Sequence, residues 1–208
     1  MKCPVCDYEN TEKVIVDLFI CDRCSHIYKE NGKMPESIIC KLGVADMRLD
    51  FLARFRAGGK MYYCGPENES FINVGKEKFA WDIDNKDMVG EKFYDVIAFC
   101  NSLEFNKYPT DFLDFCTNIT LKDDGIILIE LPTMNFSNLE VMPSEFYNGK
   151  QCQYFCQTSI LEMLKRAKLK IIDQYNYWNG KIGNTILLAA KEDCANKYIE
   201  RSTKALFG

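Results

Sequence analysis

The apolar residues of this chain follow two patterns in turn, one typical of helices and one typical of buried strands. Before residue 57 they recur at the spacing of one helix face, at Ile38, Ile39, Leu42, Ala45, Leu49, Leu52 and Phe55. The glycines of "AGG" (57–59) stand where a helix commonly ends. "FYDVIAFC" (93–100) is apolar almost throughout, as in a strand covered on both faces of a parallel sheet. The pattern therefore predicts a helix followed by an α/β domain.

Further segments of both kinds complete this domain. Strands are predicted at 60–64, 79–83, 94–100, 125–131, 170–177 and 184–190. Helices are predicted as a weak stretch near 69–74, at 109–121 from Pro109, at 158–169 with a capping box of Ser159 and Glu162, and from Asp193 onward. Strand, helix and strand in short succession favour parallel pairing, whereas the Asn179-Gly180 turn favours an antiparallel last pair. We therefore expect a mostly parallel sheet that ends in an antiparallel pair.

Four cysteines in two C-x-x-C motifs precede this domain. "CPVC" holds Cys3 and Cys6, and "CDRC" holds Cys21 and Cys24, with a short strand predicted at "KVIVDLFI" between them. Two such knuckles at this distance predict one tetrahedral Zn²⁺ site with four thiolate ligands. A site whose four positions are all protein ligands has no open position for substrate, so we expect the zinc to be structural.

The ribbon and the α/β domain divide the chain into two predicted parts, residues 1–32 and residues 33–208. The single histidine, His26, is a further candidate ligand of the metal. The other interpretation is that His26 stabilises the ribbon or is exposed. Because the main body contains no histidine, a Ser-His-Asp or Cys-His mechanism is not expected there.

The composition restricts the classes of function further. Eleven cysteines with a motif that begins at residue 3 leave no room for a secretory signal, and they indicate metal ligation in the reducing cytoplasm. No apolar run approaches the roughly 20 residues of a membrane span. A net charge of −4 argues against nucleic-acid binding. A small-molecule acceptor is the expected partner, and a protein partner is left open.

Several motifs of the α/β domain resemble one enzyme family. "FYDVIAFCNSLEF" and "LKDDGIILIELP" are similar to the fourth and fifth strands of class I S-adenosylmethionine-dependent methyltransferases. "QYFCQTSILEMLKRAKLKII" is similar to a later segment of the same family. A four-cysteine ribbon ahead of such a domain resembles the subgroup with an N-terminal zinc-binding module, which includes sugar C-methyltransferases. The resemblance implies a Rossmann-like sheet, S-adenosylmethionine as cofactor and methyl transfer to a small or sugar-like acceptor.

The resemblance also implies a cofactor site at the carboxyl ends of the strands. The turn after the first strand would face the methionyl part, and only Gly65 and Pro66 match the family there. The interval from Gly65 to Asp82 is close to that between a glycine turn and the acid that binds a ribose. Asp84 shares a face with Asp82 in a strand of period two. The residues after the fourth strand would line the adenosine side, namely Cys100, Asn101 and Ser102. Glu104 and Tyr154 are the candidate bases.

Two departures from the family leave two hypotheses open. Glu67, Asn68 and Glu69 stand where the family's cofactor loop is glycine-rich, so this loop is degenerate. Fewer than ten residues separate Asp84 from Phe93, where the family has a helix and a strand. The first hypothesis is a methyltransferase with an economical and weakened pocket. The second is a catalytically inactive, methyltransferase-like binding or assembly module with a structural zinc.

Overall fold

The computed structural model describes residues 1–15, 17–29, 44–66, 68–134, 151–178 and 183–207. The predicted helical positions 38–43, the turn residues Asn179 and Gly180, and Glu67 of the degenerate loop lie outside the described residues.

The described residues form ten strands and five α-helices. The strands are β1 (Thr11–Ile15), β2 (Leu18–Cys21), β3 (Ile27–Tyr28), β4 (Gly58–Cys64), β5 (Ala80–Asp84), β6 (Tyr94–Cys100), β7 (Leu121–Met134), β8 (Gln153–Cys156), β9 (Leu169–Trp178) and β10 (Gly183–Lys191). The α-helices are α1 (Val44–Ala53), α2 (Asn68–Lys78), α3 (Pro109–Phe115), α4 (Gln157–Arg166) and α5 (Glu192–Phe207). A 3₁₀ turn at Leu103–Phe105 precedes α3, and a π-helical turn at Cys116–Thr120 follows it.

The main sheet has the order β5-β4-β6-β7-β10-β9. β5, β4, β6 and β7 are mutually parallel, and β10 runs antiparallel to both of its neighbours. Both the mostly parallel sheet and its antiparallel last pair are thereby confirmed. The chain leaves β4 toward β5 on one side and leaves β6 toward β7 on the other. The topological switch point therefore lies between the carboxyl ends of β4 and β6.

Alternate residues of the central strand β6 enter two separate apolar cores. Ile97 and Phe99 face a core that α3, α4 and the N-terminal ribbon cover. Val96 and Ala98 face the other core, which α1, α2 and α5 cover. Because both faces are covered, β6 has no polar face, as the continuous apolar run at 93–100 predicts.

The glycines at 58 and 59 do not end the preceding helix, contrary to the prediction from "AGG". Helix α1 ends at Ala53, and Gly58 already begins β4. Gly59 has a φ of +124°, and a Cβ there would lie 2.7 Å from Asp95 Oδ2. Asp95 accepts a hydrogen bond from the Lys60 N–H at 2.8 Å, which brings its carboxylate onto the strand backbone. Glycine is required at 59 because of this close approach and the positive φ.

The capping box of α4 is also displaced from its predicted residues. The Cys156 thiol accepts from the Ser159 N–H at 3.5 Å, and the Ser159 hydroxyl accepts from the Cys156 N–H at 2.9 Å. Glu162 instead pairs with Arg23 of the ribbon at 3.3 Å. The helix starts earlier than predicted because β8 runs into it without a loop.

The N-terminal ribbon continues into the main sheet. The segment predicted as one strand between the knuckles forms the antiparallel pair β1 and β2, and β3 pairs with β2. β3 also pairs with β8, and β8 pairs in parallel with the end of β7. β8 lies in a segment for which no strand was predicted. The division of the chain after residue 32 stays a prediction.

The link between β5 and β6 is as short as the sequence predicts. The described residues 85–93 contain neither a helix nor a strand, so β5 forms one edge of the main sheet. Among the described residues, no helix has both the length and the apolar composition that crossing a bilayer requires.

Candidate functional site

The four predicted ligand cysteines converge at one buried point of the ribbon. Their sulfur atoms all lie within 4.8 Å of one another, with 3.8 Å between those of Cys3 and Cys24 and 3.5 Å between those of Cys6 and Cys21. A tetrahedron of sulfurs at the usual Zn–S length has edges of about 3.8 Å. The hydrogen bond between Cys3 and Cys24 lowers the pKa of the Cys3 thiol and raises the pKa of the Cys24 thiol. The donor set therefore fits one tetrahedral Zn²⁺ ion.

His26 is not part of this cysteine group, and it is not exposed either. Its ring is fully buried, with its centroid 4.9 Å from the ring of Phe155. Its Nε2 bonds to Gln153 Oε1 at 2.7 Å. Burial lowers the pKa of His26 to about 4, so the imidazole is neutral at neutral pH. The structure therefore excludes the exposed alternative, and the stabilising role of His26 stays a prediction.

The turns that follow β4 and β6 touch at the switch point of the sheet. A Cβ at Gly65 would lie 2.6 Å from the Cys100 carbonyl oxygen and 2.6 Å from the Tyr63 hydroxyl. Glycine is therefore required at this position, because a side chain would collide with the backbone of the neighbouring strand. Pro66 follows at a half-buried position, and α2 begins at residue 68. The structure thus brings the predicted Gly65 and Cys100 together.

The turn after β6 is held in an unusual backbone conformation. Asn101 has a φ of +50°, which asparagine tolerates better than most residues. Its N–H donates to the Glu130 carbonyl at 3.0 Å, and its side-chain amide donates to the Glu130 carboxylate at 3.3 Å. Ser102 is buried, and the thiol of Cys64 lies close to it. Burial raises the pKa of that thiol, and the Ser102 hydroxyl opposes the rise in part. The predicted Asn101 and Ser102 therefore lie at the switch point as well.

Glu104 is a fully buried carboxyl group on the 3₁₀ turn that follows. Its side-chain Oε2 has no hydrogen-bond partner among the described residues. Burial, with a smaller contribution from Glu130, raises the pKa of Glu104 to about 8. Its backbone carbonyl accepts from the Cys152 N–H at 2.9 Å. A buried carboxyl with an unpaired oxygen and a raised pKa has the properties of a general acid or base.

The two predicted ribose acids lie on β5 and share one partner. Lys60 Nζ is 2.9 Å from Asp82 Oδ2 and 3.1 Å from Asp84 Oδ1. The Tyr94 hydroxyl donates to the other oxygen of Asp84 at 3.3 Å. Asp84 is the last residue of β5 and half buried, whereas Asp82 is exposed two residues earlier. Asp84 is therefore the acid at the carboxyl edge of the sheet, and the bound Lys60 is a feature that the sequence did not reveal.

Tyr154, the second candidate base, lies away from the β4–β5 edge. It is buried in β8, where it is the register partner of Ile27 of the ribbon. Its hydroxyl donates to the Gln151 carbonyl at 3.4 Å. Its catalytic role stays a prediction, as do the ligand-binding roles of the other candidates.

A buried ion pair next to the switch point was not predicted. Arg48 of α1 donates to the Glu130 carboxylate, and both side chains are almost completely buried. The Tyr177 hydroxyl of β9 donates to the other oxygen of Glu130. The network joins α1, β7, β9 and, through Asn101, the turn after β6. The sequence contained one sign of this ion pair. Glu130 is the only acid within the apolar run at 125–132, and a buried acid in a strand needs a partner.

Comparisons with known proteins support the fold. No model of a known protein family and no curated protein matches the sequence significantly. Solved structures do match. The cyclase SpnF is 12% identical with a TM-score of 0.56, over 77% of this chain and 85% of that one. Two others are methyltransferases with bound S-adenosylhomocysteine. The 1,6-didemethyltoxoflavin-N1-methyltransferase of Burkholderia thailandensis has 10% identity and a TM-score of 0.50, over 85% and 99% of the two chains.

The third is the geranyl diphosphate C-methyltransferase of Streptomyces coelicolor, with 8% identity and a TM-score of 0.54, over 70% of this chain and 80% of that one. Such low identities are informative about the fold and leave the reaction undetermined. The strand order, the antiparallel β10 and these likenesses agree with one another. The chain therefore has the mixed α/β, Rossmann-like fold of class I methyltransferases, with an abbreviated sheet.

Proposed function

We propose that this protein is a cytoplasmic S-adenosylmethionine-dependent methyltransferase that acts on a small or sugar-like acceptor. The observation that carries the proposal is the contact between the Gly65 and Cys100 turns at the topological switch point. Ligands of open α/β sheets bind in the crevice outside the carboxyl ends of the strands at such a point. The small molecules named with the methyltransferase neighbours, a toxoflavin precursor and geranyl diphosphate, favour an acceptor of similar size.

Asp84 is the side chain that we assign to the ribose of the cofactor. It ends β5 beside the β4 turn, and the Tyr94 hydroxyl orients its carboxylate. The bonds of Asp84 and Asp82 to Lys60 must loosen for a ribose to be bound. An ion pair this close to water contributes little stability, so a ligand can displace it at small cost. S-adenosylmethionine supplies an electrophilic methyl group when it is bound.

Glu104 is the group that we assign to proton transfer from the acceptor. Its unpaired Oε2 is the proton-accepting atom in the ionised form. With a pKa of about 8, roughly a tenth of the groups are ionised at pH 7, and a base of this strength suits an acceptor hydroxyl or activated C–H. Burial also keeps water from competing for the same carboxylate.

The zinc that the four cysteines fit would have no part in the chemistry. Cys3, Cys6, Cys21 and Cys24 would hold it, and four thiolates leave no position for substrate. Its contribution would be the folding free energy that a ribbon of this size cannot obtain from apolar burial alone.

Calorimetric titration with S-adenosylhomocysteine, the unreactive product, tests the cofactor assignment directly. We expect one site per chain with a Kd in the micromolar range, and a tenfold or greater loss of affinity in Asp84→Asn. Conversion of S-adenosylmethionine to its product in the presence of a panel of small acceptors then tests catalysis. No binding at millimolar ligand would refute the proposal.

One observation favours a second candidate, the catalytically inactive binding or assembly module. Lys60 occupies the two carboxylates that a ribose would need, and the exposed Glu69 adds negative charge to the first turn of α2. SpnF, which shares the fold, is named a cyclase, so the fold itself does not require methyl transfer. Binding without turnover, or no binding at all, would favour this second candidate.

A further inference from the structure

The ribbon is connected to the Glu104 turn and the residues after it by three hydrogen-bonded links. The first consists of two backbone hydrogen bonds made by Cys152. The Lys29 N–H that follows β3 donates to the Cys152 carbonyl at 3.0 Å, and the Cys152 N–H donates to the Glu104 carbonyl at 2.9 Å. The residue that carries the buried carboxyl is thus only one residue removed from the ribbon.

The second link is the side chain of Gln153, which is almost completely buried. Its Nε2 donates to the carbonyls of Asn106 at 2.9 Å and Lys107 at 3.2 Å, directly after the 3₁₀ turn. Because the nitrogen is committed to two acceptors, Oε1 must face His26 of the ribbon, 2.7 Å away. The amide therefore determines that His26 carries its proton on Nε2 and donates it.

The third link reaches the first cysteine knuckle. The Thr110 hydroxyl at the start of α3 donates to the carbonyl of Val5, which lies between Cys3 and Cys6. The distance is 3.1 Å, and both residues are buried. The ribbon thus contacts the 101–110 segment at two places, at Thr110 through Val5 and at residues 106 and 107 through His26 and Gln153.

We propose that the metal-loaded ribbon positions the Glu104 turn, with Gln153 and Thr110 as the positioning residues. The ordering of the knuckles by the metal determines where Val5 and His26 stand, and these determine where residues 101–110 stand. The metal then controls the candidate acid–base group from a distance, without touching substrate. The inference depends on the proposed function only in giving Glu104 a catalytic role.

Hydrogen–deuterium exchange on the full chain tests the inference without an activity assay. Removal of metal by a chelator should accelerate exchange at least tenfold in peptides that cover 101–110 and in the ribbon, while β6 and β10 stay protected. Unchanged exchange at 101–110 in protein that has lost its metal would overturn the inference, and so would a uniform loss of protection over the chain.

Gln153→Met provides a second test in which the metal is retained. The variant keeps the length of the side chain and removes its hydrogen bonds to His26, Asn106 and Lys107, together with a long contact to the Cys152 thiol. We expect the metal content to stay at the wild-type value, with faster exchange confined to 101–110. The carboxyl signal of Glu104 in carbon NMR should also titrate at lower pH, because water reaches the loosened turn. Thr110→Val should show the same effects more weakly.

The matched control is Tyr198→Phe, which removes one partly buried hydrogen bond to the Asp124 carbonyl at the amino end of β7. It should lower global stability without changing exchange at 101–110 or the titration of Glu104. If Gln153→Met and Tyr198→Phe behave alike, Gln153 is merely structural and the inference fails. Absence of S-adenosylhomocysteine binding in the wild type would refute the proposed function alone, since the exchange results do not depend on it.

Discussion

Lys60 Nζ lies 2.9 Å from Asp82 Oδ2, and the two residues are register partners in β4 and β5. The hydrogen bonds that Lys60 donates to both acids raise its pKa, so it remains a cation throughout the physiological range. A ribose must therefore compete with this ammonium for the two acids.

Replacing Lys60 with Met should therefore strengthen cofactor binding. Asp84 and Asp82 would be free to accept from the ribose hydroxyls, and we expect a two- to fivefold lower Kd for S-adenosylhomocysteine, since an exposed ion pair of this kind is weak. Calorimetry measures the change. Lys78→Met is the control, because Lys78 forms a comparable surface pair with Asp46 next to the amino end of β5, away from the carboxyl ends of the strands. Weaker binding in Lys60→Met would instead show that Lys60 contacts the ligand.

The four-cysteine cluster should contain about one zinc per chain in protein purified under reducing conditions without added metal. Cys21→Ser should lose the metal and disorder the ribbon, because three thiolates cannot complete the site. Cys194→Ser, a half-buried cysteine of α5 outside the cluster, should retain it. Elemental analysis decides the matter, and wild-type protein that is folded, reduced and free of metal would contradict the zinc assignment.

Glu104 should make the protein less stable as the pH rises. Its pKa is raised from an ordinary value of 4.5 to about 8 in the folded state. Between these values the native state therefore binds more protons than the unfolded state, and the free energy of unfolding falls with rising pH. Relative to Glu104→Gln, the wild type should lose a few kcal/mol between pH 4.5 and pH 8 in urea titrations. Parallel pH profiles for the two proteins would show that Glu104 has an ordinary pKa.

The Arg48–Glu130 ion pair should show strong coupling between its members. Arg48→Met or Glu130→Met alone leaves a buried charge without its partner and should cost about 3 to 5 kcal/mol of stability. The double variant removes both charges and should cost clearly less than the sum of the two single changes. Urea unfolding of the four proteins completes this cycle. Additive losses would mean that the two side chains are not energetically coupled.

Methyl transfer, if Glu104 is its base, should follow the ionisation of this carboxyl. The rate at saturating cofactor should rise with pH up to a plateau above about 8, because only the ionised form accepts a proton. Glu104→Gln should lower the rate at least a hundredfold while leaving the Kd for S-adenosylhomocysteine within twofold. A pH-independent rate, or an active Glu104→Gln variant, would remove the base assignment and leave the cofactor assignment intact.

The order and type of the elements from β4 to β7, and of α4, β9, β10 and α5, were determined by the sequence alone. The apolar run at 93–100 becomes the doubly covered strand β6, and the short link after Asp84 leaves β5 at the edge of the sheet. Local patterns are sufficient here, because the period of the apolar residues specifies a strand or helix and how many of its faces are buried. The two cysteine knuckles likewise indicate a common site before any contact is known.

Only the tertiary structure decided the contacts between residues that are distant along the chain. Asp95 leaves no space for a side chain at Gly59, and Asp82 and Asp84 bind Lys60. β8 joins the ribbon to β7. Nothing in the sequence next to Glu104 shows that its carboxyl is buried, because the elements that bury it come from other parts of the chain. The burial of a side chain and its hydrogen-bond partners depend on which segments the fold brings together. Burial raises the pKa of Glu104, and backbone hydrogen bonds connect its turn to the ribbon.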